Sequence, residues 1–303
     1  MVNEASLLWP GTAIRYGARG MFVFKAAVVG AGTMGAEIAQ VIASAGVPVV
    51  LKDAEPARVQ AGVERAQAVW QAQVDAGKLA SSEAARRASL ITPATGYEGF
   101  GDVDLVIEAV PEDIELKHAV FSELDEVTPG HAILASNTSA LSITELGQAT
   151  IRPDKVVGLH FFFPVATSRA VEVVEGEDTS TETAQATATF AQAIRKAPIR
   201  CGDTPGFVVN RILNAAVSEL WRAQEDGDVE LEAFDRLIGE ASPSGYGPFF
   251  IADLLGLDTV VAVAEHMRES YGDRFHVHDA MRAHVQAGRL GAKTGKGFYD
   301  HGS

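Results

Sequence analysis

Gly30-Ala31-Gly32-Thr33-Met34-Gly35 spells G-x-G-x-x-G, and it stands between two stretches of opposite character. Before it, Phe22 to Val29 is an apolar, β-branched run that reads as a buried strand. After it, the small and apolar residues from Thr33 to Ala45 suit a helix packed closely on a sheet. That helix stops at Gly46, where a left-handed residue is needed. Pro48 to Asp53 reads as a second strand, and it ends in an acid 18 residues beyond Gly35. Strand, glycine turn, helix and acid-terminated strand in that order describe one βαβ unit.

Each part of that unit has a physical task. Gly30 makes the tight turn, Gly32 lets backbone approach a pyrophosphate, and Gly35 lets helix and strand pack closely. The helix N-terminus then presents free N–H groups and partial positive charge to phosphate. Gly30, Ala31, Gly32, Thr33, Met34 and Gly35 are therefore the expected dinucleotide cradle. Asp53 is expected to accept from the ribose hydroxyls of NAD and to repel a 2′-phosphate. Lys52 points to the other face by strand alternation. NAD is preferred to NADP, and FAD, which uses the same fingerprint, is the weaker choice. The plain alternative is a tight turn that packs and binds nothing.

The alternation continues beyond the first unit. Ala57 to Ala76 is helical, Val103 to Val110 a strand, Ile114 to Leu124 helical, and Ala132 to Ser136 a strand. Val156 to Phe161 is a further strand and Ala170 to Val174 another candidate. Strands alternating with helices predict a mainly parallel, doubly wound α/β sheet of the Rossmann type. The pattern changes near Cys201 to Gly206. Phe207 to Gln224, Leu231 to Glu240, Phe249 to Leu254, Thr259 to Ser270 and Ala280 to Ala287 all read as helices, with no strand until Phe298-Tyr299. Residues 21–202 are thus expected to form the sheet domain and 203–303 a smaller all-helical domain. Residues 1–20 lack the apolar core of a secretory signal and read as a disordered extension ahead of Met21.

Composition narrows the partners. The formal net charge is -15, so phosphate backbones and anionic lipid surfaces are repelled, and neither nucleic acid nor membrane is an expected partner. A polyanionic ligand would need a local basic patch. Cys201 is the only cysteine, so no intrachain disulfide forms, which fits a reducing cytoplasm.

Among eight histidines, His160 stands apart. It ends an apolar strand, where ligands of doubly wound folds sit. Oxidising an alcohol by hydride transfer needs a base for the hydroxyl proton, and histidine titrates near working pH. Glu172, in the next predicted strand, is placed to orient the imidazole. The plain readings are a core histidine bonded to backbone and a strand glutamate facing water. His276-Val277-His278 lacks a third ligand, so no metal site is expected. Gly291 to Gly297 resembles a phosphate loop, but Gly-Lys is not followed by Ser or Thr, and it reads as a basic turn.

Five segments together carry a family likeness. They are Gly30 to Gly35, Ala135-Ser136-Asn137-Thr138-Ser139, Gly158-Leu159-His160-Phe161-Phe162, Asp203 to Arg211, and Lys293 to Tyr299. From about Lys25 to Tyr299 the chain resembles the L-3-hydroxyacyl-CoA dehydrogenases, including 3-hydroxybutyryl-CoA dehydrogenases and the dehydrogenase portion of bacterial fatty-oxidation multifunctional enzymes. The resemblance implies NAD-dependent oxidation of (S)-3-hydroxyacyl-CoA in acyl metabolism. It implies that His160 is the acid/base and Glu172 its carboxylate partner. Ser139 and Asn210 hold substrate oxygens and position the nicotinamide, and Glu112 and Lys117 contact cofactor. It also implies a homodimer formed through the helical domain.

Plainer readings stand beside these. Ser139 caps the short helix after it, Glu112 and Lys117 are exposed helix residues, and Asn210 caps a helix end. The chain departs from the family at Phe163, where Asn is usual, and in the helix Ala57 to Ala76. That helix has Arg58 and Arg65 but no lysine, with Lys78 just beyond. These departures leave open a different 3-hydroxy acid or a non-CoA thioester as substrate. From another class, a weakly catalytic NAD(H)-binding sensor or scaffold remains open.

Overall fold

A computed structural model describes residues 23–227, 229–242 and 245–302. The extension expected at residues 1–20, and Met21 after it, lie outside them. Eight strands form one sheet: β1 (Ala26–Val29), β2 (Val49–Lys52), β3 (Ile91–Ala94), β4 (Leu105–Glu108), β5 (Ile133–Ser136), β6 (Val156–Phe161), β7 (Ala170–Glu175) and β8 (Ala197–Gly202). Their spatial order is β3-β2-β1-β4-β5-β6-β7-β8, and only the β6–β7 pair is antiparallel.

Strand alternation divides the sheet core in two. In β1, Ala26 and Val28 face α1 (Thr33–Ser44) and α2 (Pro56–Asp75), joined by Ile38, Ile42, Leu51 and Trp70. The Trp70 indole donates to Ser44 Oγ at 2.8 Å and ties these two helices together. Ala27 and Val29 face α4 (Ile114–Val127) and α5 (Ile143–Gly147), with Phe121, Leu124 and Leu146. Both faces are buried, as a doubly wound sheet requires.

Four elements were not expected from sequence: α3 (Ser81–Ala88), β3, α6 (Thr181–Ala193) and β8. The two strands lie at the sheet edges and each carries a proline, Pro93 or Pro198, which an edge tolerates and a central strand does not. Their apolar signal is weak for the same reason.

The chain after β8 is helical, through α7 (Val209–Asp226), α8 (Leu231–Ala241), α9 (Pro248–Leu255), α10 (Leu257–Tyr271) and α11 (Asp279–Gln286). These helices enclose their own core around Trp221, Phe249, Leu257 and Met281. Phe298-Tyr299 is not a strand; only isolated bridges occur there. The Asp253 carboxylate accepts the N–H groups of Phe298 and Tyr299 at 3.0 and 2.9 Å, taking the donors a ladder would use. The basic segment before it winds into a 3-10 turn at Ala292–Thr294.

The strand order reverses between β1 and β4. Ligands of such sheets bind where the carboxyl ends of the strands meet this switch point. The parallel register sets the Gly30 turn, Glu108, Ser136 and His160 at the same end of β1, β4, β5 and β6.

Candidate active site

The glycine turn has the geometry its spacing predicts. Gly30 takes φ +101°, and a Cβ there would lie 2.5 Å from the Ala109 carbonyl oxygen. A Cβ on Gly35 would lie 1.8 Å from the Gly30 carbonyl oxygen. A Cβ on Gly32 would meet nothing within 4 Å, so open space faces the turn there. Helix α1 starts without a side-chain cap and without an acid in its first turn. Its N–H groups and dipole are left for an anion, which fits a pyrophosphate.

Asp53 Oδ2 accepts the Ala31 N–H at 2.9 Å, so the acid at the end of β2 also steadies the turn. Lys52 lies over the Tyr97 ring, 4.4 Å from its centroid, away from the acid. Thr33 Oγ1 accepts from Arg65 at 3.2 Å, which brings one of the two arginines of α2 to the start of α1. Met34 packs against the sheet core.

These contacts separate two substitutions. We predict that Gly32→Ala keeps wild-type thermal stability, because no protein atom opposes the new methyl, yet weakens NADH binding about tenfold, ~1.4 kcal/mol. Gly35→Ala should lose both, since backbone must move. Fluorescence titration with NADH beside a melting curve checks the pair; unchanged affinity in Gly32→Ala would remove the turn from the cofactor site.

Behind the turn lies a buried ionic network. Lys117 is 1% exposed, and its ammonium donates to Glu108 Oε1 at 2.7 Å and to the Val110 carbonyl at 3.3 Å. Glu112 Oε2 lies 3.3 Å from it. Buried charges require such complete partnering. Glu108 also accepts from the Val110 N–H and the Ser136 hydroxyl, and Glu112 Oε1 accepts from the Thr138 hydroxyl and the Ser139 N–H. The network therefore shapes the turn that carries Ser139. Lys117 is not the exposed helix residue of the plainer reading, and the cap of α5 is Ser142 rather than Ser139. Ser139 is exposed, and among the described residues its hydroxyl has no protein partner.

His160 and Glu172 face each other across the antiparallel pair, in direct register. His160 Nδ1 lies 2.7 Å from Glu172 Oε2. The other oxygen, Oε1, accepts the N–H groups of Val208 and Val209 at 2.9 and 2.7 Å. These belong to the start of α7, so Glu172 joins the imidazole to a helix N-terminus. Burial pushes the Glu172 carboxyl up, but the bond to His160 and the two backbone donors outweigh it and hold the carboxyl below its ordinary value. An ionised carboxylate thus fixes Nδ1 as the donor and leaves Nε2 free to exchange a proton.

Aromatic rings wall the imidazole. Phe162 lies 4.6 Å and Phe207 5.9 Å from it, centroid to centroid. Phe207 is fully buried with φ +45°, unusual for a residue with a side chain, and it turns the chain so that the next two N–H groups meet Glu172. Asn210 is the second residue of α7. Its side chain is half-buried and, among the described residues, has no protein partner. Phe163 is 62% exposed.

Sequence reasoning missed Glu108 and Asn137. Asn137 Oδ1 accepts the Phe161 N–H at 2.9 Å and joins the Ser139 turn to the His160 strand. A carboxylate ending an otherwise apolar strand was the available signal for Glu108. His276 and His278 bond Glu225 and Gln224, and His278 is buried against Phe249 rather than solvated. Burial pushes the Cys201 thiol up to about 12, with Glu172 and Glu175 adding to the effect, so it is a poor nucleophile.

The family model described as "3-hydroxyacyl-CoA dehydrogenase, NAD binding domain" matches residues 25–204, and that described as "3-hydroxyacyl-CoA dehydrogenase, C-terminal domain" matches residues 206–301. The chain belongs to the 3-hydroxyacyl-CoA dehydrogenase family. Among relatives, the 3-hydroxybutyryl-CoA dehydrogenase of Clostridioides difficile is 39% identical over 91% of this chain and 99% of its own length. The fatty acid oxidation complex subunit alpha of Acinetobacter baylyi is 37% identical, and the match spans 39% of that longer protein. Among solved structures, (S)-3-hydroxybutyryl-CoA dehydrogenase PaaH1 from Ralstonia eutropha has a TM-score of 0.87 at 36% identity. It covers 93% of this chain and 100% of its own. As a member of the 3-hydroxyacyl-CoA dehydrogenase family, the protein takes NAD as its cofactor, and the open cradle at Gly32 fits that group.

Proposed function

We propose that this NAD-dependent dehydrogenase interconverts (S)-3-hydroxyacyl-CoA and 3-oxoacyl-CoA thioesters, with His160 as the acid/base. The observation that carries the assignment is the 2.7 Å contact of His160 Nδ1 with a carboxylate whose other oxygen accepts two N–H groups at a helix N-terminus. In oxidation, His160 Nε2 takes the C3 hydroxyl proton, and Glu172 stabilises the imidazolium that results. NAD, held at the Gly30 to Gly35 turn, would supply the acceptor for the C3 hydride. In reduction His160 returns the proton to the carbonyl oxygen. The Ser139 hydroxyl and the Asn210 amide, both without protein partners among the described residues, are assigned to the substrate oxygens and the nicotinamide. Glu112 is assigned a cofactor contact, and the enclosed Lys117 acts through it.

We assign residues 21–202 to the cofactor domain and 203–303 to the helical one, in keeping with the matched spans. A homodimer docked through the helical domain is supported by Ile212, Leu213, Leu237, Leu254 and Leu255, large apolar side chains that face solvent in one protomer. Among the described residues no helix is long and apolar enough to cross a membrane. A cytoplasmic setting accords with the lone Cys201.

The carrier is tested by following NADH absorbance with acetoacetyl-CoA, acetoacetyl-pantetheine and free acetoacetate. The arginines of α2, with Arg65 at the cradle, lead us to expect turnover of the CoA ester and a KM for the pantetheine ester raised about tenfold, ~1.4 kcal/mol. Equal kcat/KM for the free acid would overturn CoA as the carrier.

A further inference from the structure

We propose that Glu37 and Lys196 clamp the loop of residues 162–169 against the cofactor-binding helix, and that this clamp positions His160 relative to the bound cofactor. The proposal rests on His160 being the acid/base. The loop runs from β6, which carries His160, to β7, which carries Glu172. At its centre Val165 is fully buried, and side chains of opposite charge take both of its backbone polar groups. Its N–H donates to Glu37 Oε2 at 2.6 Å, and its carbonyl accepts from the Lys196 ammonium. Lys196 also donates to the Ser168 carbonyl at 2.6 Å.

Each partner comes from a different place. Glu37 is the fifth residue of α1, one turn beyond the glycine cradle, in a helix otherwise made of small and apolar residues with one threonine, one glutamine and one serine. Lys196 lies between α6 and β8 and is 8% exposed. Burying a charge in such positions is costly unless it is partnered. Burial lowers the Lys196 ammonium, and the Glu37 carboxylate acts against that shift, so the two charges sense each other through the loop they hold. The loop starts with Phe162, whose ring lies tilted against the His160 imidazole, 4.6 Å from it centroid to centroid. A rigid connection thus runs from the helix that receives the cofactor, through Glu37, Val165 and Phe162, to the proton-transferring ring. Displacing reacting groups by about 1 Å costs on the order of 10²-fold in rate, so such a connection has kinetic weight.

Glu37 and Lys196 are positioning residues, and conservative variants separate that role from charge. Glu37→Gln keeps an oxygen for the Val165 N–H, whereas Glu37→Leu leaves that N–H buried and unpaired. Glu37→Leu is expected to lower kcat on acetoacetyl-CoA about tenfold or more, with NADH affinity within about twofold of wild type. Glu37→Gln should retain most of the rate. Lys196→Arg should exceed Lys196→Met, and if Lys196→Met does not fold, the two Glu37 variants decide alone. The nitrogen NMR resonances of the His160 ring give a second readout, independent of turnover: Glu37→Leu should move them and Glu37→Gln should not. Wild-type kcat and unmoved His160 resonances in Glu37→Leu would overturn the clamp. Equal losses in Glu37→Gln and Glu37→Leu would also overturn it, because charge alone would then be at work. Wild type and His160→Gln in the same assay report separately on the acid/base assignment, since the His160 resonances test the clamp even if that assignment fails.

Discussion

His160→Gln is expected to lower kcat for acetoacetyl-CoA reduction by about 10²–10⁴-fold, the usual share of one general acid–base group. NADH affinity should stay within about twofold of wild type. The reasons are local. The cradle at Gly30, Gly32 and Gly35 and the acid at Asp53 lie at the ends of β1 and β2, and among the described residues none of their contacts involves the imidazole. The fold should persist as well, because Glu172 keeps its two backbone donors from α7 when the ring is removed. NADH absorbance and NADH fluorescence read the two quantities separately. A variant that turns over at the wild-type rate would remove His160 from the chemistry, whatever the family.

The parts of this site written in contiguous residues were legible in the sequence. The glycine turn is one, because its strand, turn and helix are neighbours in the chain and each glycine answers a local steric demand. His160 is another, since an imidazole closing an apolar strand is conspicuous. Its pairing with Glu172 was also legible, as two adjacent strands brought the residues into reach.

What the sequence does not display is contact made across the fold. The buried Glu108 and Lys117 form one network with Ser136, Thr138 and the exposed Glu112, yet each looks like an ordinary polar residue at a strand or helix end. The bond from Asn137 to the Phe161 N–H spans two strands. Nothing near Glu37 announces Val165, which is far along the chain. The edge strands β3 and β8 were hidden for a related reason: with one neighbour each and a proline in each, they carry little of the apolar pattern by which central strands are found.

Glu172→Gln should cost nearly as much rate as loss of the histidine, about 10²–10⁴-fold in kcat, while leaving the fold intact. The argument turns on which way the new amide must point. The Val208 and Val209 N–H groups both require an acceptor at the position of Oε1, so the amide oxygen is drawn there. The amide nitrogen then faces His160 Nδ1 and donates to it. That fixes the proton on Nε2, the atom from which a base must act, and the ring is locked in the unproductive tautomer. Wild-type Glu172 does the reverse, accepting from Nδ1 and leaving Nε2 free. The same variant has a signature in stability. The carboxyl of folded wild type titrates below its ordinary value, so its contribution is fully present above the unfolded-state pKa and is lost as pH falls through the folded one. Glutamine has no such dependence. Melting curves taken across the acid range should therefore show wild type more stable than Glu172→Gln near neutrality, with the gap closing as the solution is acidified. A gap that stays constant with pH would mean that Glu172 is not held as an anion by α7, and the tautomer argument would fail with it.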